Sequence, residues 1–170
     1  MSAGEIHVRQ ATEEDLPAIL ARTNEEIATG FSHFGTEPIA IEGLADQFRR
    51  ESGRFPWLVA RDGRGVFLGF AKAGPWKARG AYAWTVEIGV YVDTGARGRG
   101  VGRALYESLL PMLREAGFRT VVAGVALPNE ASVRLHESIG MKPAGVLPQV
   151  GYKFGAWRDV GYWVVHWNDE

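Results

Sequence analysis

The run Thr85-Val86-Glu87-Ile88-Gly89-Val90-Tyr91-Val92, followed shortly by Arg97-Gly98-Arg99-Gly100-Val101-Gly102, decides the reading of this chain. Strict alternation places Val86, Ile88, Val90 and Val92 on one face of a strand and Thr85, Glu87, Gly89 and Tyr91 on the other. One carboxylate thus projects from an otherwise uncharged strand. The glycine-arginine turn lies between this strand and a predicted helix over 101–116. There, successive backbone N–H groups can face an anion, glycines admit close approach, and arginines add local positive charge. His136 falls on a later short helix over 130–138. Carboxylate, turn and histidine together point to group transfer from a phosphate-bearing cofactor. The turn is not the usual nucleotide P-loop, because no lysine followed by serine or threonine closes it. It also lacks the ribose-binding acid of a dinucleotide fingerprint.

Outward from this centre, Ile6 and Val8 alternate in a first strand, and Thr12 or Asp15 caps a helix carrying Leu16, Ile19 and Leu20. Pro17 favours Asp15 as the cap, because proline then occupies the first turn. The segment 29–38 has no period and reads as a loop anchored by Phe31 and Phe34. A helix over 41–50 sets Leu44 and Phe48 one turn apart. Strands over 57–61 and 66–73 flank the turn Asp62-Gly63-Arg64-Gly65. The central strand is expected over 82–92, and Pro111 predicts a bend or early interruption in the helix that follows. A strand over 120–127 and terminal strands including 162–167 complete a mixed α/β pattern, expected as a single domain over 1–170.

Composition narrows the function classes. The chain has 170 residues, 46% of them hydrophobic and 23% charged, with a formal net charge of −1. That balance gives no broad electrostatic grip on nucleic acid or an anionic membrane, so a phosphate site must be local. There is no cysteine, which excludes disulfides, thiolate metal ligands and a cysteine nucleophile. The four histidines are dispersed in sequence, and no metal is expected. No apolar run approaches the roughly 20 residues that span a bilayer, and the start lacks a leader pattern, so a cytoplasmic protein is the expectation.

Over nearly its whole length the sequence resembles the GCN5-related N-acetyltransferase superfamily and, within it, the phosphinothricin or methionine-sulfoximine N-acetyltransferase family. The resemblance is carried by Gly74-Pro-Trp-Lys-Ala-Arg79, the run 85–92, the turn 97–102, Leu127-Pro-Asn-Glu-Ala-Ser-Val-Arg-Leu-His136 and Val150-Gly-Tyr-Lys-Phe-Gly-Ala-Trp157. It implies the GCN5-related acetyltransferase fold, a central mixed and mostly antiparallel β-sheet flanked by helices. It also implies acetyl-CoA as co-substrate, with neither a metal nor an acyl-enzyme. The backbone of Val90, Tyr91 and Val92 would pair with the pantetheine arm. Gly98, Arg99, Gly100, Val101, Gly102 and Arg103 would surround the pyrophosphate, and Asn129 and Ser132 would contact the cofactor farther along.

Glu87 is the candidate general base, directly or through water, because an ammonium must lose a proton before its nitrogen attacks a thioester. The alternative is a structural glutamate held by an arginine or by backbone donors. His136 either lies in the active site, where it orients Glu87, receives a proton or protonates sulfur, or is a packed core histidine. Many GCN5-related enzymes carry tyrosine there, whereas histidine fits the narrower family. Lys77, Arg79 and Lys153 offer cations to an acceptor carboxylate and to a phosphinyl or sulfoximine oxygen, Arg79 with bidentate geometry. Tyr82 offers a hydroxyl, and Phe31, Phe34 and Trp157 offer pocket walls. The implied reaction is N-acetylation of phosphinothricin, methionine sulfoximine or a related small amino acid analogue. A broader amine or peptide acetyltransferase is the enzymatic alternative, favoured if Arg79 faces solvent. A non-catalytic acyl-CoA sensor would instead bury Glu87 against a fixed counterion. A homodimer is expected, with Gly155-Ala-Trp157 and the strand 162–165 as contact candidates.

Overall fold

The computed structural model describes residues 4–168. Its strands form one seven-stranded sheet in the order β1-β2-β3-β4-β5-β7-β6. These strands are β1 (Ile6–Gln10), β2 (Trp57–Asp62), β3 (Phe67–Pro75), β4 (Thr85–Val92), β5 (Thr120–Leu127), β6 (Lys142–Lys153) and β7 (Ala156–His166). Every neighbouring pair is antiparallel except β4 with β5. The helices are α1 (Leu16–Thr29), α2 (Ile41–Glu51), α3 (Val101–Glu115) and α4 (Glu130–Ser138).

Alternation along the strands fills both faces of this sheet. Leu58, Ala60, Ala71, Ala73, Val86 and Ile88 face α3, where Leu105, Leu109 and Leu113 recur at helical spacing and are fully buried. On the other face Trp57, Val59 and Phe70 meet Leu16 and Ile19 of α1 and Leu44 and Phe48 of α2. Phe48 and Trp57 meet edge to face at 5.4 Å, an arrangement contributing about 1 kcal/mol beyond its buried area.

Pro111 does not interrupt α3, which continues to Glu115. Pro111 and Glu107 are both exposed, so the Glu107 carbonyl that proline leaves without a helical donor is open to water. The central strand starts at Thr85, because Gly80–Tyr82 turns as a 3-10 helix before it. Asp15 immediately precedes α1, yet its carboxylate turns away from the helix. It accepts from Arg9 at 2.7 and 2.9 Å, from Arg61 at 2.8 Å and from the Thr12 amide at 2.9 Å. Two guanidinium groups are stronger partners than a helix N–H, and they tie β1 and β2 to the start of α1.

The pairing of β4 with β5 stops early. Thr85, Val86 and Glu87 pair with Thr120, Val121 and Val122, and beyond that point the ladder between the two strands ends. The sheet therefore opens from Glu87 onward.

Candidate active site

A cleft of about 1310 Å³ runs along this opening and is walled by α1, by the loop over 30–34 and by the start of α3. Beyond the C-terminal end of β4, Gly98 (φ 74°) and Gly100 (φ 82°) take left-handed backbone, which only glycine adopts without strain. Their geometry starts α3 at Val101 and leaves its first amides facing outward. A Cβ at either glycine would meet nothing within 4 Å, so these glycines answer a backbone requirement and leave the turn's surface open. Gly98, Gly100, Val101, Gly102 and Arg103 border the cleft, as does Arg97. Arg99 is exposed in the same turn but outside that lining. This open surface, with amides and guanidiniums beside a gap in the sheet, fits a pyrophosphate followed by an extended arm.

Val90, Tyr91 and Val92 border the cleft where β4 pairs with β3 on one side and has no ladder with β5 on the other. Tyr91 stacks on Phe70 at 5.2 Å, and burial pushes its hydroxyl well above the ordinary phenol range. Asn129 and Ser132 border it from the start of α4, where Asn129 caps the helix by accepting from the Ser132 amide at 3.1 Å.

Glu87 stands where β4 and β5 part. It is half-buried, and among the described residues no donor hydrogen-bonds its carboxylate and no cation pairs with it at close range. Burial raises its pKa above the usual carboxylate value, opposed by the charges of Lys77 and Lys72. Gly124 lies across the gap, where a Cβ would stand 3.7 Å from Glu87 Oε1 and 3.4 Å from the Tyr162 ring, in ordinary contact with both.

His136 is buried, and both its ring nitrogens are engaged. Nδ1 lies 2.6 Å from the Ser132 carbonyl, which only accepts, so Nδ1 carries the proton. Nε2 then accepts from the Tyr106 hydroxyl at 3.2 Å. Burial lowers the pKa of His136, against the opposing effect of the Ser132 carbonyl, and the ring is neutral at neutral pH. Tyr106, fully buried on α3 and bordering the cleft, escapes a sequence reading because it looks like any core aromatic at helical spacing.

The cations expected to hold an acceptor are not gathered in one place. Lys77, Arg79 and Tyr82 line a separate depression of about 380 Å³, with Lys77 over the Trp76 ring at 4.9 Å and Arg79 exposed to solvent. Trp76 in turn meets Tyr162 edge to face at 5.5 Å, which links that depression to the Glu87 neighbourhood. Lys153 points inward, donating to the carbonyls of Gly30 and His33 at 2.7 Å each. It thereby fastens the loop that carries Phe34 to β6. Phe34 borders the cleft and lies over Gly151, where a Cβ would come within 2.4 Å of its ring. Lys72, which the motifs do not single out, borders the cleft beside Glu87. Its signal in the sequence is a charge inside the apolar run Phe70-Ala71-Lys72-Ala73. Among the described residues no group of three His, Asp or Glu side chains is placed to hold a metal.

Comparison with known proteins agrees with this arrangement. Residues 19–141 match the Acetyltransferase (GNAT) family. The chain is 46% identical over 158 residues to a phosphinothricin N-acetyltransferase of Streptomyces viridochromogenes, covering 93% of this chain and 86% of that protein. It is 35% identical to an L-methionine sulfoximine/L-methionine sulfone acetyltransferase of Pseudomonas aeruginosa, with 91% of each covered. A GNAT superfamily phosphinothricin acetyltransferase from Sinorhizobium meliloti, solved in complex with AcCoA, superposes with a TM-score of 0.91 at 30% identity, over 95% of this chain and 88% of that one. The resemblance and the fold therefore meet in one conclusion: the chain belongs to the Acetyltransferase (GNAT) family.

Proposed function

We propose that this protein is an acetyl-CoA-dependent N-acetyltransferase, acting as a single domain on the amino group of phosphinothricin, methionine sulfoximine or a related small amino acid analogue. The observation that carries the reading is Glu87, a half-buried carboxylate that no hydrogen-bond donor or close cation engages among the described residues, at the point where the sheet opens into the cleft. A sensor would hold that carboxylate against a fixed counterion, and none is placed there among the described residues. Acetyl-CoA supplies an activated acetyl thioester when bound.

The residues of the chain do the rest. Gly98, Gly100 and the first amides of α3, with Arg97 and Arg103, receive the pyrophosphate, and the unpaired edge of β4 from Val90 to Val92 aligns the extended arm. Asn129 and Ser132 border the same arm. Glu87 takes the proton from the acceptor ammonium, and burial makes its carboxylate a stronger base than an exposed glutamate. His136, neutral and doubly hydrogen-bonded, orients the Tyr106 hydroxyl rather than acting on Glu87. Lys77, Arg79 and Tyr82 flank the acceptor entrance beside Trp76 and Tyr162, with Phe34 as the facing wall. Lys153 supports that wall from behind.

A homodimer and a cytoplasmic setting belong to the same proposal. The dimer is supported by a broad apolar face on the β6–β7 hairpin, on which Val146, Val150, Tyr152, Phe154 and Trp157 are all exposed. The cytoplasmic setting is supported by the use of acetyl-CoA. A broader amine or peptide acetyltransferase is favoured by one observation, the solvent exposure of Arg79 in the single chain.

The test is acetyl-CoA-dependent CoA release across L-phosphinothricin, L-methionine sulfoximine, L-methionine sulfone, ordinary amino acids and short peptides, with products confirmed by mass. Selective turnover of the first three is expected. Preference for peptides would move the assignment to the broader enzyme, and acetyl-CoA binding without product would make the protein a sensor.

A further inference from the structure

Lys72 is the one charged side chain in a stretch of β3 where Leu68, Phe70, Ala71 and Ala73 are buried. In the antiparallel register it stands opposite Gly89 of β4, while Gly74 stands opposite Glu87 and Phe70 opposite Tyr91. Directly opposed residues share a face, so Lys72 and Glu87 project to the same side of the sheet, into the same cleft. The ammonium itself lies over the Trp57 ring, 4.7 Å from its centroid, a cation-π contact on the β2 side of Lys72. Among the described residues nothing hydrogen-bonds or ion-pairs with it. Lys153, also withdrawn from solvent, contrasts with it, since carbonyl oxygens receive that ammonium. Gly89, between Lys72 and Glu87 on that face, carries no side chain, and a Cβ there would meet only the Tyr91 ring, at 3.6 Å.

We infer that Lys72 is a specificity-determining residue of the acceptor pocket. It receives an acid group at the side-chain end of the acceptor, so the enzyme prefers amino acids carrying a second anionic group over isosteric neutral ones. This inference rests on the acceptor reading proposed above.

The sheet sets the depth of the subsite. The nitrogen that reacts must lie at the gap between β4 and β5, beside Glu87. Lys72 is rooted on β3, about one strand spacing of 4.8 Å farther from that gap. The α-carboxylate of an amino acid is joined to the carbon that bears the nitrogen and stays beside Glu87, whereas an acid at the end of a two-carbon side chain reaches the depth of Lys72. Burial lowers the pKa of Lys72, and the charges of Glu51 and Glu87 oppose that effect. A bound anion adds to their action and holds the ammonium charged.

L-Phosphinothricin and L-methionine sulfone provide the test, because their side chains match in length and shape and differ in charge at the phosphinate and the sulfone. In the native enzyme kcat/KM is expected to favour the phosphinate. In Lys72→Met, which keeps an unbranched side chain beside Trp57 without the charge, kcat/KM for L-phosphinothricin should fall about tenfold or more, mainly through KM, while that for the sulfone changes less than about threefold. Retained sulfone turnover reports an intact fold, and Lys72→Arg should keep much of the preference. Three results would overturn the assignment. A parallel rise in KM for both acceptors would put the α-carboxylate on Lys72. A parallel fall in kcat with a displaced acid limb would mean that Lys72 acts through Glu87. A native enzyme that acetylates neither acceptor would remove the acceptor reading itself, and this inference with it.

Discussion

At the scale of the residue, the chemistry turns on how burial and partners divide the titratable groups. Glu87 must be ionised to take a proton, and burial lifts its pKa above the ordinary glutamate value of about 4.3. Activity should therefore rise with pH through a limb lying above that of an exposed glutamate. Replacing Glu87 with Gln should lower kcat by roughly 10²–10⁴, leave the KM for acetyl-CoA nearly unchanged and erase that limb. A near-native rate in the Gln variant would rule out Glu87 as the base. Asp15 shows the opposite behaviour. Its burial alone would raise its pKa, but hydrogen bonds from Arg9, Arg61 and the Thr12 amide hold it well below the usual carboxylate range. A group depressed in the folded state stabilises the fold above its unfolded pKa of about 3.9, and that stability drains away as pH falls through the folded value. Asp15→Asn should cost about 1–3 kcal/mol at pH 7, kept modest because Arg9 is half exposed. Urea unfolding from pH 7 down to pH 2 checks this, since the gap between the two proteins should narrow in acid. A constant gap would mean that Asp15 contributes packing rather than charge.

At the scale of the element, the loop between α1 and α2 is held from a distance in sequence by β6. Lys153 donates to the Gly30 and His33 carbonyls, and Gly151 makes room for the Phe34 ring. Lys153→Met removes those donors, leaves the carbonyls unpaired and should cost about 1–3 kcal/mol. Freed of its fastening, the loop should become the first site of limited proteolysis, and the KM for the acceptor should rise while that for acetyl-CoA holds. Unchanged acceptor KM would show that the Phe34 wall does not border the acceptor. The pairing of β4 with β5 belongs to the same scale, because the ladder ends at Glu87 and the unpaired strand edges beyond it create the cleft.

At the scale of the whole molecule, the β6–β7 hairpin exposes Val146, Val150, Tyr152, Phe154 and Trp157. Trp157 is 61% exposed and Tyr152 58%, and their rings meet at 5.0 Å as one patch. A patch of this kind is expected to be covered by a second copy. Introducing charge with Tyr152→Glu and Trp157→Glu together should halve the mass measured by sedimentation equilibrium. A native protein that sediments as a monomer at micromolar concentration would remove the dimer from the proposed function.

Local geometry was legible in the amino-acid sequence. Alternation over 85–92 settled which face of β4 carries Glu87, the glycine-arginine run 97–102 marked the turn between β4 and α3, and the helix over 130–138 was legible with its bounds. These depend on dihedral preferences and on neighbours within a few residues, which a sequence states directly. What each side chain meets came from folding. It turned Lys153 inward to backbone carbonyls, joined His136 to Tyr106, set Lys77, Arg79 and Tyr82 in a depression apart from the cleft, and brought Lys72 to face it. Partners of that kind come from strand register and burial across long stretches of chain, and burial determines whether a cation finds a carbonyl, a ring or an open cleft.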